Sequence, residues 1–188
     1  MAETIKVWDP LVRVFHWVLV AAFFIAYVTE DDLMTLHAYA GYVIMGLLAV
    51  RIVWGVIGTR YARFTNFVCS PATTLSYVKD LIRLKAKRYL GHNPAGGWMI
   101  LLMMIALVLT TLTGLVVYGV EEHAGPLVNY VNVLPRWLAK GFEEVHEFFA
   151  NFSLLLIFIH VGGVIIESLL HHENLVRAMW TGKKEIKE

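Results

Sequence analysis

Cysteine and charged residues are scarce in this chain of 188 residues. The single cysteine, Cys69, excludes an internal disulfide, a zinc site built from cysteines, an iron–sulfur cluster and the C-x-x-C-H motif. Charged residues make up 16% of the chain, against about a quarter in soluble domains, while hydrophobic residues reach 58% and the mean hydropathy is +0.62. The net charge of only +1 gives no reason to expect a nucleic-acid partner.

The apolar residues are concentrated in four runs, each long enough to cross a bilayer, which takes roughly 17–25 helical residues. We place the predicted spans at Val12–Val28, Leu36–Ile57, Trp98–Val120 and Val145–Leu170. A length of 188 residues suits one domain, and the chain has no Gly/Ser linker or internal repeat. The sequence therefore predicts an all-α integral membrane protein, a four-helix bundle surrounded by membrane lipid, with residues 1–188 forming a single domain.

Lysine and arginine in the loops predict the orientation, because cytoplasmic loops carry an excess of these residues. One side of the predicted bundle carries Lys6, Arg13, Arg60, Arg63, Lys79, Arg83, Lys85, Lys87, Arg88, Arg177, Lys183, Lys184 and Lys187. The other side carries only Arg136 and Lys140, among many acidic residues. Both termini are therefore expected in the cytoplasm.

Two loops are expected to contain helices of their own. Ser70 and Pro71 are typical of a helix start, with a side-chain cap followed by proline at the first helical position. Basic residues then recur at helical spacing opposite apolar ones, and Gly91 is the expected helix end. This pattern predicts a cytoplasmic helix lying on the membrane surface. A second, short helix is predicted around Pro126–Leu138, covering the outer face.

Histidine is the unusual polar residue of the predicted spans. Four of the eight histidines lie in spans one, two and four, namely His16, His37, His146 and His160. Ionisable groups are costly inside a membrane and suggest function, although a single histidine is often a helix contact or a proton-relay residue. His160 follows His146 by 14 residues, which is about 21 Å and nearly four turns, so both face the same way. In the predicted topology His16 therefore pairs with His160 near the cytoplasm, and His37 pairs with His146 near the outer face.

Two opposed imidazoles match the needs of a haem iron, because the porphyrin supplies the other four ligands. Zinc and copper sites usually need more than two protein ligands. Small residues that leave space for a porphyrin are available at Gly41, Gly46, Gly114, Gly162 and Gly163. Arg51, 14 residues beyond His37, is a candidate partner for a propionate of the inner haem, and Arg13 is another. The competing interpretation of Arg51 is a side chain that snorkels to the interface. Two axial histidines leave no open coordination position, which favours electron transfer over oxygen binding.

These residues lie in stretches that resemble the bacterial cytochrome b561 / nickel–iron hydrogenase b-type cytochrome superfamily. The matching stretches cover nearly the whole chain: Trp8-Asp9-Pro10 with Arg13 and His16-Trp17, His37 to Arg51-Ile52-Val53-Trp54-Gly55, Gly91-His92-Asn93-Pro94 with Gly96-Gly97, Thr113-Gly114, Glu144-Val145-His146-Glu147 with Ala150-Asn151, His160-Val161-Gly162-Gly163-Val164, and His172-Glu173-Asn174-Leu175-Val176. The resemblance implies a di-haem cytochrome b of the bacterial inner membrane, with two haem b groups on the four axial histidines. It also implies respiratory electron exchange between the quinone pool and periplasmic hydrogenases, other oxidoreductases or soluble c-type cytochromes.

The position of a quinone site and the reaction catalysed, if any, stay open at this point. Inner candidates for quinone contact or proton transfer are Glu167, His171, His172, His92 and Asn93. Outer candidates are His123, Glu121, Glu122, Glu143, Glu144 and Glu147, which are also typical of a solvated acidic rim. A superoxide:quinone oxidoreductase is an alternative within the same fold. A haem-free transporter that uses the histidines as relays and a membrane anchor for a partner protein are alternatives of a different class.

Overall fold

A computed structural model of the chain describes residues 3–30 and 32–186, so Lys187 of the predicted basic tail lies outside the described residues. Its regular structure is almost entirely helical. The helices are α1 (Pro10–Val28), α2 (Met34–Ile57), α3 (Pro71–Ile82), α4 (Pro94–Glu121), α5 (Val128–Val131), α6 (Arg136–Leu170) and α7 (Leu175–Thr181), with a 3-10 turn at Phe64–Asn66. Two three-residue strands, β1 (Thr4–Lys6) and β2 (Lys183–Glu185), complete the described elements.

Four helices are long and apolar enough to cross a membrane: α1, α2, α4 and α6, with 19, 24, 28 and 35 residues. This result confirms the predicted all-α membrane fold. All four begin earlier than predicted, α1 and α2 by two residues, α4 by four and α6 by nine. α4 begins at Pro94, because the Asn93 side chain caps it by accepting a hydrogen bond from the Gly96 amide at 2.7 Å. α6 begins at Arg136 rather than Val145, and its first two turns carry charged residues that a hydropathy pattern does not reveal.

The surface helix α3 has the predicted start but a different end. Ser70 caps it, with its Oγ accepting a hydrogen bond from the Thr73 amide at 3.2 Å. The helix ends at Ile82 and does not continue towards Gly91. The reason is Leu84, which has a φ of +56° and turns the chain away from the helix axis. Of the basic residues predicted at helical spacing, Lys79 therefore lies in the helix, Arg83 follows its last residue and Lys87 lies beyond it.

The loop between α4 and α6 contains one helical turn instead of the predicted helix around Pro126–Leu138. This turn is α5, and the chain leaves helical geometry again before α6 begins. Pro135 explains the break, because it has no amide hydrogen to donate to a continuous helix. Its carbonyl instead accepts a hydrogen bond from the Ala139 amide at 3.1 Å, within the first turn of α6. The last residues of the predicted helix thus belong to α6.

The described residues pack as two compact units. The first, which we name the terminal unit, comprises the described parts of Met1–Trp17, Val50–Leu102 and Ile157–Glu188. The second, the central unit, comprises the described parts of Val18–Ala49 and Met103–Leu156. Each unit contains a part of all four long helices.

A strand pair that the sequence patterns did not predict ties the terminal unit together. β1 and β2 pair antiparallel, with Ile5 opposite Lys184. The turn before β2 depends on Gly182, whose φ of +80° lies in the left-handed region that favours glycine. The Gly182 carbonyl accepts hydrogen bonds from the amides of Val7 and Trp8 at 2.9 and 3.1 Å. Two segments that are far apart in sequence are joined in this way.

Asp9 links the start of α1 to α2 and the loop after it in the terminal unit. Its Oδ1 accepts a hydrogen bond from the Val12 amide at 3.0 Å, and its Oδ2 accepts from Trp54 Nε1 at 3.1 Å and from Thr59 Oγ1 at 2.6 Å. Burial alone would raise the pKa of Asp9, but these hydrogen bonds outweigh it and lower the pKa below its ordinary value. Asp9 is therefore a buried carboxylate with both oxygens engaged.

Glu173 is the centre of a second charged cluster in the terminal unit. Its carboxylate lies 3.0 Å from Arg88 Nη2 and 3.2 Å from Lys184 Nζ. Lys184 is only 5% exposed and also donates to the Tyr89 carbonyl at 3.1 Å. Burial would raise the pKa of Glu173, yet the two cations outweigh it and lower the pKa. The cluster joins the loop before α4 to β2 and the turn before α7.

The central unit packs through small and aliphatic residues, as helices do where their backbones approach closely in membranes. Ala106, Leu48 and Leu156 are among its most buried side chains. One side-chain hydrogen bond links α1 to α6, from the Tyr27 hydroxyl to Asn151 Oδ1 at 3.0 Å. This packing holds the helix segments that carry the second histidine pair.

Candidate functional site

Each unit holds one pair of histidines from different helices. In the terminal unit, the rings of His16 in α1 and His160 in α6 have centroids 6.5 Å apart and planes inclined by 56°. In the central unit, the rings of His37 in α2 and His146 in α6 have centroids 6.0 Å apart and planes inclined by 72°. The side chains expected to be partners are therefore neighbours within each unit.

Backbone carbonyls orient both rings of the central pair. His37 Nδ1 lies 2.9 Å from the Ala26 carbonyl oxygen, and His146 Nδ1 lies 2.8 Å from the Thr110 carbonyl oxygen. A carbonyl can only accept, so each Nδ1 carries the proton and donates it. In the neutral form of such a ring the lone pair is on Nε2, which is the arrangement found in metal-ligating histidines.

The ring separations fit a single metal ion between each pair. Two metal–imidazole bonds of about 2.0–2.1 Å, with about 1.1 Å from nitrogen to ring centre, put opposed ring centres about 6.3 Å apart. The observed values of 6.5 and 6.0 Å lie on either side of this distance. Among the described residues, no group of three or more histidine, cysteine, aspartate or glutamate side chains could hold a metal ion. Each pair thus suits a metal that brings its other ligands with it, as a haem iron does.

Two glycines leave open space on the histidine-bearing faces of their helices. Gly41 follows His37 by one turn, Gly163 follows His160 by three residues, and a Cβ at either would meet nothing within 4 Å. Gly46 and Gly162 are equally open but lie on other helix faces. Gly114 has a different role from the one predicted, because a Cβ there would lie 2.7 Å from His146 Cε1. It makes room for the histidine ring itself.

Arg51 is buried in the terminal unit, with 3% of its surface exposed. Its Nη2 donates to the Ala62 carbonyl at 3.1 Å, and its guanidinium carbon lies 4.9 Å from the centre of the Phe64 ring. These contacts do not fit the interpretation of a side chain that snorkels to water. Its Nη1 is buried and has no hydrogen-bond partner. Arg51 is thus a buried cation with an N–H group available to an anion.

Arg13, the other predicted propionate partner, is partly committed to the protein. Its Nη2 donates a hydrogen bond to the Trp180 carbonyl near the end of α7, and its side chain packs beside Gly182. Its Nε is buried without a partner. The side chain therefore ties α1 to α7 and still has one unsatisfied donor.

His92 is a site residue whose position the sequence did not predict. It lies in the loop before α4, between the rings of Trp8 and Phe67, with centroid distances of 4.5 and 4.8 Å. Burial, together with the positive charge of Arg51, lowers the pKa of His92 to about 3, so the ring is neutral. Its Nδ1 is buried without a hydrogen-bond partner. The only sequence signal was its place in the Gly91-His92-Asn93-Pro94 stretch.

Unsatisfied buried polar atoms are concentrated in the terminal unit. Buried polar groups nearly always have a partner, so a cluster of orphans indicates a polar group still to be bound. In the terminal unit they include Arg13 Nε, His16 Nδ1, Trp17 Nε1, Arg51 Nη1 and His92 Nδ1. Among the described residues of the central unit, only Ser153 Oγ is in this state. A cofactor with acidic groups would satisfy donors of this kind.

The inner candidates for quinone contact divide into structural and unassigned residues. Asn93 caps α4, as described above, which is a structural role. Glu167 is buried, accepts a hydrogen bond from the Tyr77 hydroxyl and lies 3.4 Å from His171 Nε2. Hydrogen bonding to Glu167 and burial raise the pKa of Tyr77, with burial the larger cause. His172 is at the end of α6 with a φ of +48°.

The outer candidates are mostly exposed to solvent. The exposed ones are Glu121, Glu122, His123, Glu144 and Glu147, while Glu143 is half-buried. This exposure matches the interpretation as a solvated acidic rim.

Comparisons with known proteins agree with a cytochrome site. A family model described as prokaryotic cytochrome b561 matches residues 7–182. A probable Ni/Fe-hydrogenase B-type cytochrome subunit of Cupriavidus necator is 22% identical to this chain, over 97% of the chain and 87% of that protein. Proteins with the same description from Rhodobacter capsulatus (23% identical, 98% of the chain and 83% of that protein) and Azotobacter vinelandii (24%, 81% and 68%) are also similar. No solved structure matches this chain.

Proposed function

This chain belongs to the prokaryotic cytochrome b561 family, and we propose that it carries electrons across the bacterial inner membrane through two haem b groups. Family membership makes it a b-type cytochrome, a haem-binding membrane protein of electron transport. The finer proposal is that one haem is held by His16 and His160 and the other by His37 and His146. Quinone and a periplasmic redox protein are the proposed electron-exchange partners.

The observation that carries the proposal is the pair of imidazoles in each unit, at a separation that suits one metal ion. A haem held there by two histidines would supply one-electron redox chemistry. The Ala26 and Thr110 carbonyls orient His37 and His146 for this role. With Nδ1 donating to a carbonyl, Nε2 of each ring can bind a metal.

The terminal unit differs from the central unit because it offers buried arginine side chains to the acidic groups of a haem. Arg51 supplies a buried guanidinium that can neutralise a propionate carboxylate, and Arg13 Nε is a second donor for the same purpose. A buried guanidinium with an unsatisfied N–H group is costly, so binding an acidic cofactor would stabilise this unit. The role proposed for both arginines is thus to bind and orient the acidic groups of the cofactor.

The proposed outer partner follows from the relatives and from the loop charges. The similar proteins are described as probable hydrogenase cytochrome subunits. In the proposed topology, with both termini in the cytoplasm, His37 and His146 lie at the outer ends of their spans. We therefore propose a periplasmic oxidoreductase, such as a nickel–iron hydrogenase, or a soluble c-type cytochrome as the redox partner at that end.

Quinone is proposed to exchange electrons with the haem of the terminal unit. Quinone reduction takes up protons, so its site needs an acid or base close to the redox centre. Glu167 is buried in that unit and is hydrogen-bonded by the Tyr77 hydroxyl. The rival location is an open groove of about 500 Å³ in the central unit, lined by Glu144, Glu147, Phe148, Asn151, Phe152 and Leu155.

The test of the proposed function is the haem content of the purified protein. The dithionite-reduced protein should show the α-band of a low-spin b-type cytochrome, and a pyridine haemochrome assay should give two haems per chain. Electron paramagnetic resonance of the oxidised protein should give low-spin signals of two bis-histidine haems. A protein without haem would overturn the proposal, and one haem per chain would overturn its di-haem form.

A further inference from the structure

The His92 side chain is buried among aromatic rings, yet it has no hydrogen-bond partner on Nδ1. Trp8 and Phe67 contact the His92 ring and fix its orientation. A buried nitrogen without a partner costs free energy that packing alone does not recover. In the tautomer that carries its proton on Nδ1, this atom is a buried hydrogen-bond donor that lacks an acceptor.

Arg51 Nη1 is a second donor of the same kind in the same unit. The acid whose charge acts on Arg51 is Asp9, and both Asp9 oxygens are engaged by Val12, Trp54 and Thr59. Arg51 also contacts the Ala62 carbonyl and the face of the Phe64 ring. Its Nη1 still lacks a hydrogen-bond partner, although the Asp9 carboxylate compensates part of the positive charge.

His92 and Arg51 lie in the same part of the terminal unit, which also holds the histidine pair His16 and His160. The Phe64 ring beneath Arg51 packs against Phe67 with centroids 5.8 Å apart, and Phe67 in turn contacts His92 at 4.8 Å. The charges of Arg51 and His160 also act on His92. A carboxylate has two oxygens and accepts hydrogen bonds from two donors at once. The acidic groups that a haem presents are its two propionates.

We propose that His92 and Arg51 together bind one propionate carboxylate of the haem held by His16 and His160. This inference rests on the proposed function. It assigns the loop before α4 to cofactor binding and gives His92 a role that differs from quinone contact. A propionate held by a cation and a neutral donor has its negative charge compensated, which favours the reduced, less positive haem iron.

The experiment compares His92→Phe, Arg51→Gln and the double variant by redox titration of each haem in the intact, haem-loaded protein. Phenylalanine preserves the stacking on Trp8 and Phe67 but removes the donor. We expect Arg51→Gln to lower the midpoint potential of one haem by about 59 mV, a tenfold change in its reduction equilibrium. His92→Phe should lower the same potential by a smaller amount, with haem content unchanged. The second haem in each molecule is the internal control and should keep its potential.

The double variant and a conservative variant separate cofactor binding from general damage. If both side chains bind one carboxylate, the shift in the double variant should differ from the sum of the single shifts. His92→Asn keeps a donor and should restore most of the potential. If His92→Phe does not fold, His92→Leu provides the same loss of the donor. Infrared difference spectra of protein loaded with haem labelled with ¹³C at the propionate carboxyls should show the labelled band moving in His92→Phe.

The experiments distinguish failure of the proposed function from failure of the inference about His92 and Arg51. A wild-type protein without a haem on His16 and His160 would overturn the proposed function. A wild-type protein with both haems, in which His92→Phe changes neither potential nor the labelled carboxyl band, would overturn the inference. That second result would mean that His92 Nδ1 is satisfied by water. Equal shifts of both haems would also contradict the inference, because they would indicate a general structural effect.

Discussion

The two histidine pairs differ in what orients their rings. In the central unit, carbonyls of α1 and α4 accept hydrogen bonds from Nδ1 of both His37 and His146. In the terminal unit, His16 Nδ1 is buried without a partner. In the central pair the main chain thus orients both rings, while the terminal pair includes a ring whose Nδ1 has no hydrogen-bond partner.

The surroundings of the two pairs differ in charge as well. The terminal unit buries Arg51, Asp9 and the Glu173–Lys184 pair. The central unit has its acidic residues mainly on the exposed rim. Buried charges change both haem potential and stability, so the two sites should respond differently to the same kind of substitution. Four experiments use that difference.

The largest effect is expected from removing one histidine of each pair on the same helix. His160→Ala should eliminate or convert the haem of the terminal unit and keep the other, whereas His146→Ala should do the reverse. Each variant should therefore retain about one haem per chain, because an iron without its second axial imidazole is weakly held or becomes high-spin. Haem content and low-temperature absorption spectra measure the result. Equal loss of both haems in soluble, folded variants would contradict the assigned pairs.

The next effect tests whether the His146 ring needs the space that Gly114 leaves for it. Gly114→Ala places a methyl group 2.7 Å from His146 Cε1, so the ring must move. Overpacking of this kind typically costs about 1–3 kcal/mol, or roughly five- to more than a hundredfold in haem affinity at the central site. Haem titration into the apoprotein measures the change. Gly141→Ala, in α6 with nothing within 4 Å of the added carbon, is the matched control and should bind both haems normally.

The four spans were predictable because apolar runs and helical spacing are local properties of the sequence. The same reasoning located the histidine faces of α6, since 14 residues complete nearly four turns. It did not reveal the early start of α6, because the pattern that signals a membrane span weakens where Arg136, Lys140 and Glu143 begin the helix. A helix can extend beyond the bilayer without being apolar.

Contacts between distant segments account for what the sequence did not predict. The pairing of β1 with β2 joins residues such as Ile5 and Lys184, and three-residue strands carry almost no periodic signal. The place of His92 depends on Trp8 and Phe67, which come from separate parts of the chain. Arg51 could be selected from its spacing to His37, but its burial became apparent only from the packing of Ala62 and the ring beside it.

A smaller effect should distinguish the two proposed locations of quinone. Glu167→Gln keeps the shape of the side chain but removes the acid that Tyr77 contacts in the terminal unit. We expect oxidation of the reduced protein by a short-chain quinone, followed by stopped flow, to slow by at least about tenfold, as for loss of a general acid or base. Glu147→Gln in the groove of the central unit is the matched variant and should leave the rate unchanged. The reverse result would move the quinone site to that groove.

The smallest effect concerns the acid sensitivity of the terminal unit. Arg88 and Lys184 hold the pKa of Glu173 below its ordinary value of 4.5, although burial opposes them. A carboxyl whose pKa is lower in the folded state stabilises the protein above its unfolded pKa, and this contribution is lost as the pH falls through the folded value.

At pH 7, Glu173→Gln should therefore lower by a few degrees the temperature at which the terminal unit unfolds, followed by the absorption of its haem. The reason is that hydrogen bonds to charged groups contribute about 1.5–3 kcal/mol. As the pH falls below 4.5 the difference from wild type should shrink, because the carboxyl is protonated first in the unfolded chain and in the folded protein only at its lowered pKa. Thermal scans of the haem absorption at both pH values measure this, with the central haem as the reference. An equal decrease at pH 7 and at the acidic pH would show that Glu173 acts through packing and not through its charge.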